Sequence, residues 1–197
     1  MQPPDEAPRP WELVSSEHAE HMVLFRPRWD RLRHPHSQDV LRRLVLETPE
    51  WVNVVARDVN GHYVMVEQFR FGTSALTLEI PGGMVDRGEA HEDAARRELR
   101  EETGHTADRW TYLGAVEPNP AFQTNLCHHW FADGAQLTHA QDLDEGEDIR
   151  VLHLEAPELV RRVQAGEIRH SLVITALSRV LDLRLEQNPI LDNGEDR

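Results

Sequence analysis

Between Gly83 and Gly104 the chain reads GMVDRGEAHEDAARRELREETG, which places seven carboxylates in twenty-two residues. Glu98, Glu101 and Glu102 stand at i, i+3 and i+4, so a helix through them carries all three on one face. Ala94, one turn earlier, leaves room above that face. Carboxylates this close repel one another by about a few tenths of a kcal/mol per pair in water, and by more where they are buried. A cation among them removes the penalty. Hard oxygen ligands select Mg²⁺, Mn²⁺ or Ca²⁺ over softer ions, and Mg²⁺ commonly shares its coordination among protein carboxylates, waters and substrate phosphates. The chemistry that fits is phosphate chemistry. A plainer reading stands beside it: a solvated helix whose Arg96, Arg97 and Arg100 neutralise their neighbours as i, i+4 pairs. Composition alone favours that reading, and only the order of the residues reverses it.

The elements that must hold these side chains follow from local pattern. Residues 89–103 are rich in Ala, Glu, Arg and Leu, with Gly104 where a C-cap glycine belongs, and this predicts a helix. Just before it, LTLEI alternates Leu76, Leu78 and Ile80 with Thr77 and Glu79, a half-buried strand that Pro81-Gly82-Gly83 ends. WVNVVARD and HYVMVEQFRF flank Asn60-Gly61 as a hairpin. RWTYLGAV, CHHWFAD and EDIRVLHL read as further strands, and APELVRRVQAG and SLVITALSRVLDL as helices. This order predicts a mixed α/β domain without regular βαβ winding. Residues 11–50 read as short strands broken by Pro27, by HPHS and by Pro49, a small N-terminal β appendage. Residues 1–10 and 189–197 offer little to bury and read as frayed tails.

Composition narrows the function classes. With 35 acidic and 21 basic side chains, the 197-residue chain carries a formal charge of −14, which argues against a nucleic-acid partner held by a basic surface. Cys127 is the one cysteine, so an intrachain disulfide is excluded. No apolar run approaches the roughly 20 residues that span a bilayer, and the expectation is a cytoplasmic protein without a membrane partner.

The carboxylate stretch resembles the Nudix box: a glycine, five residues, a glutamate, seven residues, then Arg-Glu-aliphatic-x-Glu-Glu-x-Gly. Gly83, Glu89, Arg97, Glu98, Leu99, Glu101, Glu102 and Gly104 stand in register, and His105 departs where an apolar residue is usual. The resemblance implies a Nudix-type α/β/α sandwich with a mixed central sheet, and hydrolysis of a nucleoside diphosphate linked to another group with Mg²⁺ or Mn²⁺. Carried onto these positions, it implies Glu98 and Glu102 as principal metal ligands with Glu101 in support. The Gly82 carbonyl adds a further oxygen, and Glu89 with Arg97 organises the loop onto the helix. Pro120 lies sixteen residues beyond Gly104, in EPNPAFQTN, and with QFR and LEIPGG this is similar to ADP-ribose pyrophosphatases and nucleoside diphosphate sugar hydrolases.

In that group the acidic stretch DLDEGEDIRV resembles a flexible loop, which makes Glu145 the candidate general base and Glu147 a further ligand, with Asp144 and Asp148 as substitutes. Arg70 is a candidate for clamping phosphate or sugar, and Glu79 for accepting from ribose hydroxyls. Trp51 and Phe122 are candidates for stacking on a base. His128 and His129 read as surface or core residues. The resemblance divides the chain into residues 1–50, a dimerisation segment, and residues 51–197, the hydrolase domain, and implies a homodimer. The expected activity is cleavage of ADP-ribose or a nucleoside diphosphate sugar to a nucleoside monophosphate and a sugar phosphate. Two alternatives stay open: another nucleotide substrate, such as a nucleoside triphosphate or dinucleoside polyphosphate, and a noncatalytic ADP-ribose or nucleotide sensor.

Overall fold

The computed structural model describes residues 12–18, 22 and 24–184, so the expectations for the two tails and for Trp11 as the first strand residue lie outside the described residues. The chain divides into two compact units, one holding the residues up to Pro49 together with Glu117–Leu126, the other Glu50–Val116 and the residues from Cys127 onward. In the first unit β1 (Glu12–His18), β2 (Arg26–Arg33) and β3 (Val40–Glu47) form an antiparallel sheet in the order β1-β2-β3. Pro27 does not break the strand as its type suggests. It sits second in β2, one residue outside the segment that β1 pairs, where a missing amide costs little. The Glu117–Leu126 segment joins this unit at Leu46, whose amide donates to the Phe122 carbonyl at 2.7 Å.

The second unit is built on β4 (Trp51–Asp58), β5 (Tyr63–Arg70), β6 (Ala75–Glu79), β7 (His105–Thr106), β8 (Arg109–Val116), β9 (Cys127–Leu137) and β10 (Ile149–Leu154). The sheet order is β10-β5-β4-β9-β7, with β6 on β5 and β8 on β9. Only the β4 and β9 pair is parallel among these strands, so the sheet is mixed. Its two faces follow from strand alternation. Val52, Val54, Ala56 and Val64 pack under Ala94, Ala95 and Leu99 of α1 (His91–Thr103). Val55, Tyr63 and Met65 pack under Leu159 of α2 (Ala156–Gln164) and under Val173, Ala176 and Leu177 of α3 (Ser171–Leu177). This is the mixed α/β domain that the order of elements predicts, in the α/β/α arrangement that the resemblance implies. No helix among the described residues is long and apolar enough to cross a membrane.

In one strand the alternation misleads. Leu78 and Ile80 are buried as the alternation predicts, but Leu76 is 65% exposed and Glu79, expected on the polar face, is buried at 2%. The cause is local: Arg70 and Thr77 supply the donors that make burial of Glu79 tolerable.

Candidate active site

The site forms where the loop after β6 crosses β4 and meets α1. Val54 donates its amide to the Pro81 carbonyl at 2.8 Å and Val52 donates to Gly83 at 2.9 Å, so the start of β4 fixes the double glycine. Space restricts both glycines, Gly82 against backbone and Gly83 against a movable side chain. A Cβ on Gly82 would stand 2.2 Å from the Val52 carbonyl oxygen, and one on Gly83 would stand 2.4 Å from Glu98 Oε1. At its far end α1 closes on Gly104 in the left-handed conformation, φ 74°, its amide bonded to Arg100.

Arg97 joins helix and loop. Its guanidinium reaches Glu89 Oε1 and Oε2 at 3.0 Å each, the Met84 carbonyl at 2.9 Å, Glu98 at 2.8 Å and Glu101 at 3.2 Å. Glu101 is also paired with Arg100 at 2.9 Å, which occupies both its oxygens. Glu102 is 3% exposed, and its Oε2 accepts from the Gly82 amide at 2.8 Å. Among the described residues no three His, Cys, Asp or Glu side chains already converge as a metal-holding group.

The electrostatics separate these glutamates. Burial pushes the Glu98 carboxyl up to about 7 in spite of Arg97, and Glu101 and Glu147 add to the rise. Burial likewise holds Glu102 well above the usual carboxylate range; the Gly82 amide opposes this, and Glu98 and Glu147 reinforce it. Glu147 is therefore the loop carboxylate whose charge reaches both. Glu145 and Glu147 are exposed in the 138–148 loop, and Glu147 accepts from the Asp144 amide at 3.0 Å. The loop is anchored to the end of α1: Asp142 donates its amide to the Glu101 carbonyl, Gln141 its side-chain amide to Glu102 and Ile149 carbonyls, and Thr138 and His139 their amides to Gly104.

Arg70 and Glu79 meet each other, at 2.9 and 2.7 Å in a two-pronged pair. Although burial alone would raise Glu79, Arg70 and Thr77 hold it below its ordinary value. The Arg70 guanidinium also lies in the field of Glu102 and Glu147, which places the pair beside the carboxylate cluster. Trp51 is half-buried and bridges Met84; Phe122, 39% exposed, belongs to the first compact unit.

Residue spacing did not reveal the histidines. His105, the departure from the box, is 3% exposed and bonds through Nδ1 to the Thr103 carbonyl at 2.9 Å. His128 and His129 are both buried. His128 reaches Glu50 through Nε2 and Tyr112 through Nδ1, each at 2.8 Å, and stacks on His91 with ring centroids 4.1 Å apart. The contacts of His128 join positions 16 to 78 residues apart, and no local pattern announces them.

The arrangement offers hard, buried, mutually repelling carboxylates against a loop with no side chain in the way, a donor set that suits a small divalent cation. Comparison with known proteins agrees. The NUDIX domain model matches residues 48–172. An ADP-ribose pyrophosphatase of Bacillus subtilis (strain 168) is 33% identical over 128 residues, 64% of this chain and 69% of that protein. One from Mycobacterium tuberculosis is 32% identical over 172 residues, 86% of this chain and 83% of that protein. The crystal structure of an ADP compounds hydrolase superposes with a TM-score of 0.76 at 21% identity, covering 89% of this chain and 95% of the other, and shares the fold. The chain belongs to the Nudix family of hydrolases.

Proposed function

We propose that the protein hydrolyses the pyrophosphate bond of ADP-ribose, or of a nucleoside diphosphate sugar, with Mg²⁺ or Mn²⁺. The observation that carries this reading is the pair Glu98 and Glu102: one half-buried and one buried, one turn apart on α1, and held above the ordinary carboxylate range with Glu147 adding to the repulsion. Two relatives named ADP-ribose pyrophosphatase support the substrate class.

In this reading Glu98, Glu102 and Glu147 would hold the metal, with Glu101 in support and the Gly82 carbonyl as a further oxygen. Bound there, divalent cations supply neutralisation of the diphosphate and a lower pKa for the attacking water. Glu145 on the acidic loop accepts the proton of that water. A loop can bring that carboxylate in when substrate arrives. Water oxygen bonds to one phosphorus, the bridging P–O bond breaks, and a nucleoside monophosphate and a sugar phosphate leave. Arg70 gives the diphosphate or sugar a guanidinium whose partner, Glu79, keeps it aimed. Trp51 and Phe122 are the proposed base-stacking residues. Gly83, Glu89, Arg97 and Gly104 keep loop and helix in register.

Residues 1–50 are proposed as a dimerisation segment and residues 51–197 as the hydrolase domain. Val14, Met22, Leu24 and Leu44 are exposed apolar side chains in the first unit, which supports a homodimer. Sedimentation at twice the 22.7 kDa chain mass is the expected result, and a monomer would remove this part of the proposal.

The deciding experiment assays ADP-ribose, UDP- and GDP-sugars, dinucleoside polyphosphates and nucleoside triphosphates with each metal, for the wild type and Glu102→Gln. Turnover of ADP-ribose or a sugar nucleotide, lost in the variant, supports the reading. No turnover with retained ADP-ribose binding would make the protein a sensor instead.

A further inference from the structure

Four side chains, Glu50, His128, His91 and Arg97, close a circuit that links β4, the loop after β6 and α1. Glu50 immediately precedes β4, and its carbonyl accepts the Val85 amide at 2.8 Å. Val85 follows Met84, whose carbonyl accepts from Arg97. The Glu50 carboxylate meets His128 Nε2 at 2.8 Å, and His128 on β9 stacks on His91 with an interplanar angle of 9°. His91 is the first residue of α1, and its Nδ1 accepts from Trp130 Nε1 at 3.1 Å. One path therefore runs from the start of β4 through loop residues 84–85 and Arg97 to the catalytic helix. A second returns from the start of that helix through His91 and His128 to Glu50.

The hydrogen-bond directions fix the ring states. A carboxylate can only accept, so His128 Nε2 carries a proton toward Glu50, and in the neutral ring Nδ1 accepts from the Tyr112 hydroxyl. His91 Nδ1 accepts from an indole that can only donate, so its proton is on Nε2. Burial holds His91 below its ordinary value, which favours the neutral ring there.

We infer that His128 is a positioning residue for the metal carboxylates: by holding Glu50 and stacking on His91, it sets the spacing between loop 83–89 and the first turn of α1. The inference rests on the metal-site reading above. It assigns His128 no contact with substrate. Its effect passes through the Val85 hydrogen bond and the entry of the helix that carries Glu98 and Glu102.

The test uses the full chain and two readouts that need no turnover. The first is exchange of the Val85 amide by NMR in metal-free protein, and the second is Mn²⁺ affinity from loss of the free-ion EPR signal. His128→Ala and Glu50→Ala are each expected to speed Val85 exchange and to weaken Mn²⁺ binding by about 10-fold, the lower end of the effect of groups that orient metal ligands. Combining them should add little, because they break one path. Glu50→Gln, whose amide oxygen still accepts from His128, should stay near wild type. Unchanged Val85 exchange and Mn²⁺ affinity in folded His128→Ala protein would overturn the inference. If His128→Ala does not fold, Glu50→Ala decides in the same way. Should the wild type bind no Mn²⁺, the metal-site reading fails on its own, and Val85 exchange still tests the circuit.

Discussion

The two ends of β4 each bury carboxylates, and they meet the cost of burial in opposite ways. At the C-terminal end Asp58 is 8% exposed and accepts from the Asn60 and His62 amides at 2.8 and 2.9 Å and from His153 Nδ1 at 3.0 Å. Burial alone would raise it, yet these donors bring it below its ordinary value. At the N-terminal end Glu102 has one amide donor and two like-charged neighbours, and stands well above that value. Both are little exposed, but Glu102 lies deeper among protein atoms and has fewer donors, so burial left uncompensated is what separates the candidate-site carboxylate from the structural one.

The sharpest test of this contrast is Glu102→Gln, which is expected to cut ADP-ribose turnover by roughly 10²–10³-fold, the scale of losing one preorganised charge-stabilising group. The same change should raise the melting temperature of metal-free protein, because a neutral amide ends the repulsion with Glu98 and Glu147. A lower melting temperature would break the comparison. Next in size is Gly83→Ala, whose Cβ would displace Glu98 but no backbone: Mn²⁺ affinity measured by EPR should fall about 10–100-fold with little change in melting. At the opposite end Asp58→Ala should cost about 1–3 kcal/mol in urea unfolding, since it strands buried donors, and should leave turnover within about threefold.

A comparable effect is one of pH. Glu98 has a folded value raised to about 7, so it destabilises the metal-free fold once ionised. Its contribution is favourable to neither state below the unfolded carboxylate range and becomes increasingly unfavourable as pH rises toward 7. Urea unfolding in EDTA should show stability falling between pH 5 and 8 by on the order of 2 kcal/mol, with a flatter profile for Glu98→Gln. Divalent ions should flatten it as well and release protons on binding.

These contrasts also explain what could be read from the order of residues. Helix α1, its Gly104 cap and the register of Glu98 and Glu102 were legible because the i, i+4 rule is local. The hairpin at Asn60-Gly61 was legible for the same reason. Glu79 was misjudged because its burial depends on Arg70, a cross-strand neighbour nine residues back. Asp58 and His128 were opaque: their partners His153 and Glu50 lie 95 and 78 residues away, and only tertiary packing brings them together.

The anchoring of the acidic loop to the end of α1 has a kinetic meaning. With Asp142 bonded to the Glu101 carbonyl and Ile149 starting β10, residues 143–148 span the gap between two fixed points, and Glu145 sits at the middle of that short tether. Delivery of the proposed base is then an intramolecular event, with an effective concentration of roughly millimolar or above for so short a linker. A carboxylate supplied from solution, such as formate added to Glu145→Ala, competes against that local concentration and lacks the tether's alignment. Lengthening the loop by inserted glycines would dilute the base while leaving its chemistry untouched.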